Sequence, residues 1–218
     1  MSVKTLVQCD FDGTVTEEDV SFLLLDTFAK PRWRRLFRDY EQDRISVGRF
    51  NTQSFSMVKA SRNELMAVVM KNFDSKIRIR EGFLDLIACC RRKGFRLVII
   101  SNGLQFYIEE ILKHLGVADI EVFAAKTNFD PKGLKVQYVG PDGHPVDNGF
   151  KEAYLDSFLA EGYRVIYVGN GSSDILPARR AHYIFATGSL LSYCQETNLS
   201  CLPFTRFNEV VQVLETLA

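Results

Sequence analysis

The chain has 218 residues, 46% of them hydrophobic and 25% charged, with Lys+Arg and Asp+Glu both at 27. That length suits one domain with an insertion, or two small domains, and it can bury a substantial core. A net charge near zero removes the electrostatic case for a nucleic-acid or anionic-membrane surface, and no apolar run is long enough to span a bilayer.

A short apolar run, Thr5–Cys9, reads as the first strand and leads directly into "DFDGT". Residues 15–79 then read helical throughout. "TEED" predicts a helix start with Thr16 as N-cap, Lys30-Pro31 separates two helices, and "SRNE" at Ser61–Glu64 matches a capping box. This stretch is expected to form a helical lid domain, 15–79. Beyond it the pattern alternates: a helix over 82–93, a strand over 95–100 ("FRLVII"), a helix over 104–115, a strand over 120–124. Asn128–Gly149 is rich in Gly, Pro and Asp around one short strand, "LKVQYV", and predicts a small flap or hairpin insertion at 126–150. A helix over 151–161, a strand over 164–168 ("RVIYV"), a helix over 173–181 and a strand over 183–186 follow. Continuous apolar strands joined by helices predict an α/β fold with a parallel sheet covered on both faces, its core made of 1–14 and 80–218. The N-terminus has no apolar leader, and the five cysteines (Cys9, Cys89, Cys90, Cys194, Cys201) form no CxxC pair. Free thiols in a cytoplasmic protein are the expectation, with Cys89-Cys90 packed in the core.

Ligands of open parallel sheets bind at the carboxyl ends of strands. Asp10-Phe11-Asp12-Gly13-Thr14 follows the first strand, Ser101-Asn102-Gly103 the second, and Gly169-Asn170-Gly171-Ser172-Ser173-Asp174 the "RVIYV" strand. Side chains at i and i+2 share a face, so Asp10 and Asp12 can point together while Phe11 turns inward. Two close carboxylates stay ionised beside a divalent cation, and Mg²⁺ favours carboxylate oxygens together with a phosphate. Asp174 supplies a third acid, Ser101 with the N–H groups of Asn102 and Gly103 suits phosphate at a helix N-terminus, and Lys151 can neutralise charge. Taken singly, each has a plainer reading: an Asp pair or "SNG" is a turn, Lys151 a solvated lysine, "GNGSSD" a glycine-rich turn. "DFDGT" lacks the later ligands of an EF-hand, and His114, His144 and His182 lack metal-ligand partners.

The ordered set DxDGT, S-N-G, Lys and GNxxxD resembles the haloacid dehalogenase (HAD) superfamily, whose four motifs it covers from residue 10 to residue 174. The resemblance implies a HAD-like Rossmannoid sheet with a helical C1 cap after the first strand. It implies a Mg²⁺-dependent phosphatase of a small phosphorylated metabolite, working through an aspartyl phosphate. By it, Asp10 is the nucleophile, Asp12 the general acid and then base, and Ser101, Asn102, Gly103 and Lys151 bind the phosphoryl group. Mg²⁺ falls to Asp10, the main-chain carbonyl of Asp12, Asn170 and Asp174. The second Asp of DxD resembles phosphatases and phosphomutases rather than dehalogenases. "CDFDGTVTEEDV", "IREGF" and the tail "LLSYCQETNLSCLPFTRFNEV" resemble the methionine-salvage enol-phosphate phosphatase subfamily. Phosphoserine phosphatases are the second resemblance, with Asp19 where that family carries an acid for the substrate amine. No nucleic-acid or membrane partner is expected, and the protein is expected to be a monomer or homodimer. At Asn170 the family has Asp. The amide keeps an oxygen ligand but lowers the charge, predicting weaker Mg²⁺ binding and leaving a catalytically weakened phospho-ligand binder as an alternative.

Overall fold

The structure is a computed structural model and describes residues 3–217. In chain order its elements are β1 (Thr5–Cys9), α1 (Val20–Phe28), α2 (Trp33–Glu41), α3 (Val47–Phe55), α4 (Arg62–Lys71), α5 (Phe83–Lys93), β2 (Arg96–Leu104), α6 (Gln105–His114), β3 (Glu121–Asn128), β4 (Lys135–Gln137), α7 (Phe150–Ala160), β5 (Arg164–Gly169), α8 (Ile175–Ala178), β6 (Tyr183–Ala186), α9 (Gly188–Thr197), β7 (Leu202–Pro203) and α10 (Phe207–Thr216). The strands form one seven-stranded sheet in the order β4-β3-β2-β1-β5-β6-β7. β1 pairs in parallel with β2 (Cys9 opposite Ile99) and β5 (Cys9 opposite Val168), and β5–β6 and β6–β7 are also parallel. Only the pairing of β3 with β4, the product of the "LKVQYV" turn region, is antiparallel among those described. All five residues of β1 are buried, as a central strand covered on both faces requires. The expected α/β class holds.

The chain packs as two compact units. One comprises the residues up to Glu17, Ile79–Ile100 and those from Lys151 onward; the other comprises Glu18–Arg78 and Ser101–Phe150. In the first, β1 and β5 form an apolar centre, and α10 closes on α5 through the Phe83 and Phe207 rings, whose centroids are 5.5 Å apart. In the second, Phe22, Trp33, Phe37, Tyr40 and Phe50 form one aromatic cluster, with Tyr40 and Phe50 stacked at 5.7 Å. Apart from border residues, the expected segments 15–79 and 126–150 fall in this second unit together with 101–125. The turn region joins the helices by main-chain contact. The Leu134 N–H donates to the Val58 carbonyl at 3.0 Å, and Gly133 lies so close to Ser56 that a Cβ would stand 1.9 Å from its carbonyl oxygen.

Two local expectations change. Asp19, not Thr16, is the N-cap of α1, its carboxylate accepting the Phe22 N–H at 2.8 Å. Thr16 is instead buried in a bridge with Ile79, because the chain first needs to pair with the return strand segment before turning into a helix. The capping box of α4 is present, with Ser61 and Glu64 bonding each other's main-chain N–H. Cys9, Cys89, Cys90 and Cys194 are buried free thiols. Among the described residues no helix is long and apolar enough to cross a membrane.

Candidate active site

β1 ends at Cys9, and the Asp10 N–H donates to the Val168 carbonyl of β5 at 2.9 Å. Phe11 turns into the core, and its carbonyl accepts the N–H groups of Thr14, Val15 and Thr16 at 2.8–3.1 Å. This winds the loop tightly and leaves Asp12 half-buried. Gly13 has φ +76°, and a Cβ there would lie 2.2 Å from Asn170 Nδ2. Only glycine permits both the left-handed turn and this approach of the first loop to the one after β5. Thr14 then donates its hydroxyl to Asn170 Oδ1 at 3.0 Å.

Lys151, near the start of α7, is 2% exposed yet charged. Its Nζ lies 2.8 Å from Asp10 Oδ1 and 2.6 Å from Asp174 Oδ1. Gln8 donates its side-chain N–H to the Lys151 carbonyl at 3.1 Å, tying α7 to β1. Asp174 is fully buried. Its Oδ1 also accepts from the Tyr167 hydroxyl at 2.6 Å, and its Oδ2 accepts the Asn170 and Gly171 N–H groups at 2.9 and 2.8 Å. Gly169 makes room for it, since a Cβ there would stand 2.7 Å from the Asp174 carboxyl carbon.

These contacts divide the charge unequally. Burial works against the Asp174 anion, but the Lys151 charge and its hydrogen bonds prevail and hold its pKa below the ordinary value. Burial likewise opposes the Lys151 cation, and Asp10 and Asp174 together outweigh it, raising its pKa. Asp10 is left as the undercompensated member: burial first, then the Asp174 charge, push it up to about 7 against the pull of Lys151. Tyr167 is raised by burial and by Asp174, which keeps it a hydroxyl donor.

One lysine for two buried carboxylates is a site that still lacks positive charge, and a divalent cation beside Asp10 fits that deficit. Among the described residues no group of three His, Cys, Asp or Glu forms a metal cage. A Mg²⁺ site needs none, because one or two carboxylates with amide or main-chain oxygens, water and a substrate phosphate suffice. Asp174, expected among the ligands, is engaged here by protein donors. A carboxylate offers about four lone-pair sites, and here four protein donors occupy them. The residues that suit a cation are therefore Asp10, Asp12 and the amide oxygen of Asn170.

Ser101, Asn102 and Gly103 begin the other unit's share of β2. The strand runs on to Leu104, so these residues lie in extended chain rather than at the expected helix N-terminus. Ser101 is buried, and its Oγ accepts the Gly103 N–H at 3.0 Å, which leaves the hydroxyl proton to donate. The Asn102 carbonyl accepts from Asn51 Nδ2 at 3.0 Å and the Tyr138 hydroxyl at 2.6 Å. One carboxylate oxygen of Asp19 accepts the Phe22 N–H at the α1 cap. Tyr167, Asn51 and Tyr138 carry no motif. A tyrosine within an apolar strand and an asparagine within a helix read as ordinary packing until their partners are known.

A family profile described as haloacid dehalogenase-like hydrolase matches residues 7–179. The chain is 31% identical, over its whole length and 98% of the relative's, to a protein of Geobacillus thermodenitrificans named 2-hydroxy-3-keto-5-methylthiopentenyl-1-phosphate phosphatase. A Brevibacillus brevis protein of the same name is 26% identical over 99% of this chain and 97% of its own. Among solved structures, a phospho-aspartyl intermediate analogue of phosphoserine phosphatase superposes with a TM-score of 0.73 at 16% identity, covering 97% of this chain and 99% of that one. A Salmonella enterica HAD family hydrolase gives 0.71 at 15% identity, covering 98% and 72%. The structural likenesses concern the fold.

Proposed function

Because the chain belongs to the haloacid dehalogenase-like hydrolases, we propose that it hydrolyses the phosphate monoester of a small metabolite, with Asp10 as nucleophile. The observation that carries this reading is the buried Asp10–Lys151–Asp174 cluster at the strand ends. The names of the full-length relatives favour the enol phosphate 2-hydroxy-3-keto-5-methylthiopentenyl-1-phosphate as substrate. Phosphoserine is the second candidate, resting on Asp19.

An Asp10 oxygen attacks phosphorus in line, the bond to the ester oxygen breaks, and the phosphoryl group rests on Asp10 as an acyl phosphate. Asp12 gives its proton to the departing alkoxide, then takes one from the water that attacks the acyl phosphate, so acid and base are one residue in turn. Lys151 offsets the negative charge of Asp10 and of the arriving phosphate. Asp174, fixed by Tyr167 and two main-chain N–H groups, holds Lys151 in place. The Ser101 hydroxyl, with its proton unspent, is assigned to a phosphoryl oxygen along with the N–H groups of Asn102 and Gly103. Mg²⁺, which Asp10, the main-chain carbonyl of Asp12 and Asn170 would hold, would supply charge neutralisation for the phosphoryl oxygens.

The test is phosphate release from a panel containing p-nitrophenyl phosphate, phosphoserine and the enol phosphate, in Mg²⁺ and in EDTA. Mg²⁺-dependent turnover, abolished in Asp10→Asn, is expected, and normal turnover in that variant refutes the nucleophile. Thermal stabilisation by phosphate without turnover favours the weakened binder that Asn170 motivates. Asn170→Asp, whose carboxylate still accepts from Thr14, then raises Mg²⁺ affinity and restores turnover.

A further inference from the structure

We infer that Arg80 is a positioning residue for Asp12, an inference that rests on the proposed phosphatase reading. Arg80 lies in the "IREGF" stretch but is given no role by it, and it does not belong to the charged cluster around Lys151. Its guanidinium nonetheless closes on the first catalytic loop: Nε donates to the Thr14 carbonyl at 2.7 Å and an Nη to the Gly13 carbonyl at 2.8 Å. The other Nη donates to the Thr205 carbonyl at 3.1 Å, and the guanidinium stands 5.6 Å from the centroid of the buried Phe204 ring. Its main-chain N–H donates to the Val15 carbonyl at 2.8 Å beside the Thr16–Ile79 bridge.

The loop after Asp12 is thus held from two directions. Phe11 gathers the N–H groups of residues 14–16 from within, and Arg80 gathers the carbonyls of Gly13, Thr14 and Val15 from the other side. The Gly13 and Thr14 carbonyls belong to the second and third peptide units beyond Asp12, so holding them fixes the loop that carries the Asp12 side chain. A planar fork with fixed donor directions can hold two successive carbonyls at once, whereas an ammonium group cannot hold the same geometry. The contact with Thr205 anchors that fork to the C-terminal segment just before α10. Proton transfer tolerates little misplacement, and about 1 Å can cost about 100-fold.

The proposed role of Asp12 gives a readout that a merely structural arginine would not move. An alkyl phosphate needs its leaving oxygen protonated, while p-nitrophenolate departs without help. Arg80→Met and Arg80→Lys are compared with wild type by kcat/KM on p-nitrophenyl phosphate and on the best alkyl phosphate of the panel, with folding checked by circular dichroism. The expected result is a loss about 10- to 100-fold greater on the alkyl phosphate than on p-nitrophenyl phosphate, with Arg80→Lys milder than Arg80→Met. Equal losses on both substrates, no loss on either, or failure of both variants to fold would overturn the inference and leave the phosphatase reading standing. Absence of turnover in wild type overturns that reading, and this inference with it.

Discussion

Asp10 is the residue on which the site's electrostatics converge. It is 5% exposed, shares one lysine with a better-satisfied carboxylate, and is pushed up to about 7. Its carboxyl has a pKa of about 4 in the unfolded chain. Between those values the folded, metal-free protein holds the extra proton, so this residue's contribution to stability falls as pH rises from about 4 to about 7. In EDTA, Asp10→Asn is therefore expected to melt above wild type at pH 8, with the difference closing toward pH 5. A wild-type advantage at pH 8 would contradict the assignment. Asp10, Asp12, Lys151, Asn170 and Asp174 were legible as candidate site residues from motif order alone. Their division of labour was not. The saturation of Asp174 depends on Tyr167 and on two main-chain N–H groups whose direction is set by the turn after β5.

At the scale of elements, periodicity located most strands and helices, and tertiary contacts decided their ends. "FRLVII" marks β2, but the strand continues through Ser101-Asn102-Gly103 to Leu104, where turn-forming residues suggest a stop. The Asn102 carbonyl is held by Asn51 and Tyr138, residues 51 and 36 positions away, which local propensity cannot register. The last helix shows the same dependence. α10 is an ordinary amphipathic segment, yet Phe207 is fully buried between Phe83 and Phe204, and its N–H donates to the Glu81 carbonyl at 2.8 Å. Phe207→Ala is expected to cost about 3–5 kcal/mol in a denaturant titration. Leu84→Ala, at a side chain 50% exposed, should stay within about 0.5 kcal/mol. Comparable effects at the two positions would remove α10 from the structural core.

For the whole molecule, ligand binding and stability are linked. If Mg²⁺ binds the folded state at Asp10, Asp12 and Asn170, cation at 100 times its Kd adds about 2.7 kcal/mol of stability. The thermal midpoint of wild type should rise with Mg²⁺, and that of Asp10→Asn should not; an active enzyme whose midpoint ignores Mg²⁺ would exclude the site. Composition and pattern by themselves determined the parallel α/β class and the helical stretch after β1, and they nominated the candidate site residues. They could do so because strand and helix periods, and the pairing of acids with glycines at strand ends, are local properties of the chain. Only the tertiary structure decided that 101–150 packs with the helical stretch, that Asp19 rather than Thr16 caps α1, that Asp174 serves Lys151, and that Arg80 clasps the loop after Asp12. Apart from the Asp19 cap, itself local but left to Asp19 because Thr16 pairs with Ile79, each of those depends on groups far apart in sequence, whose meeting is set by packing and leaves no periodic trace.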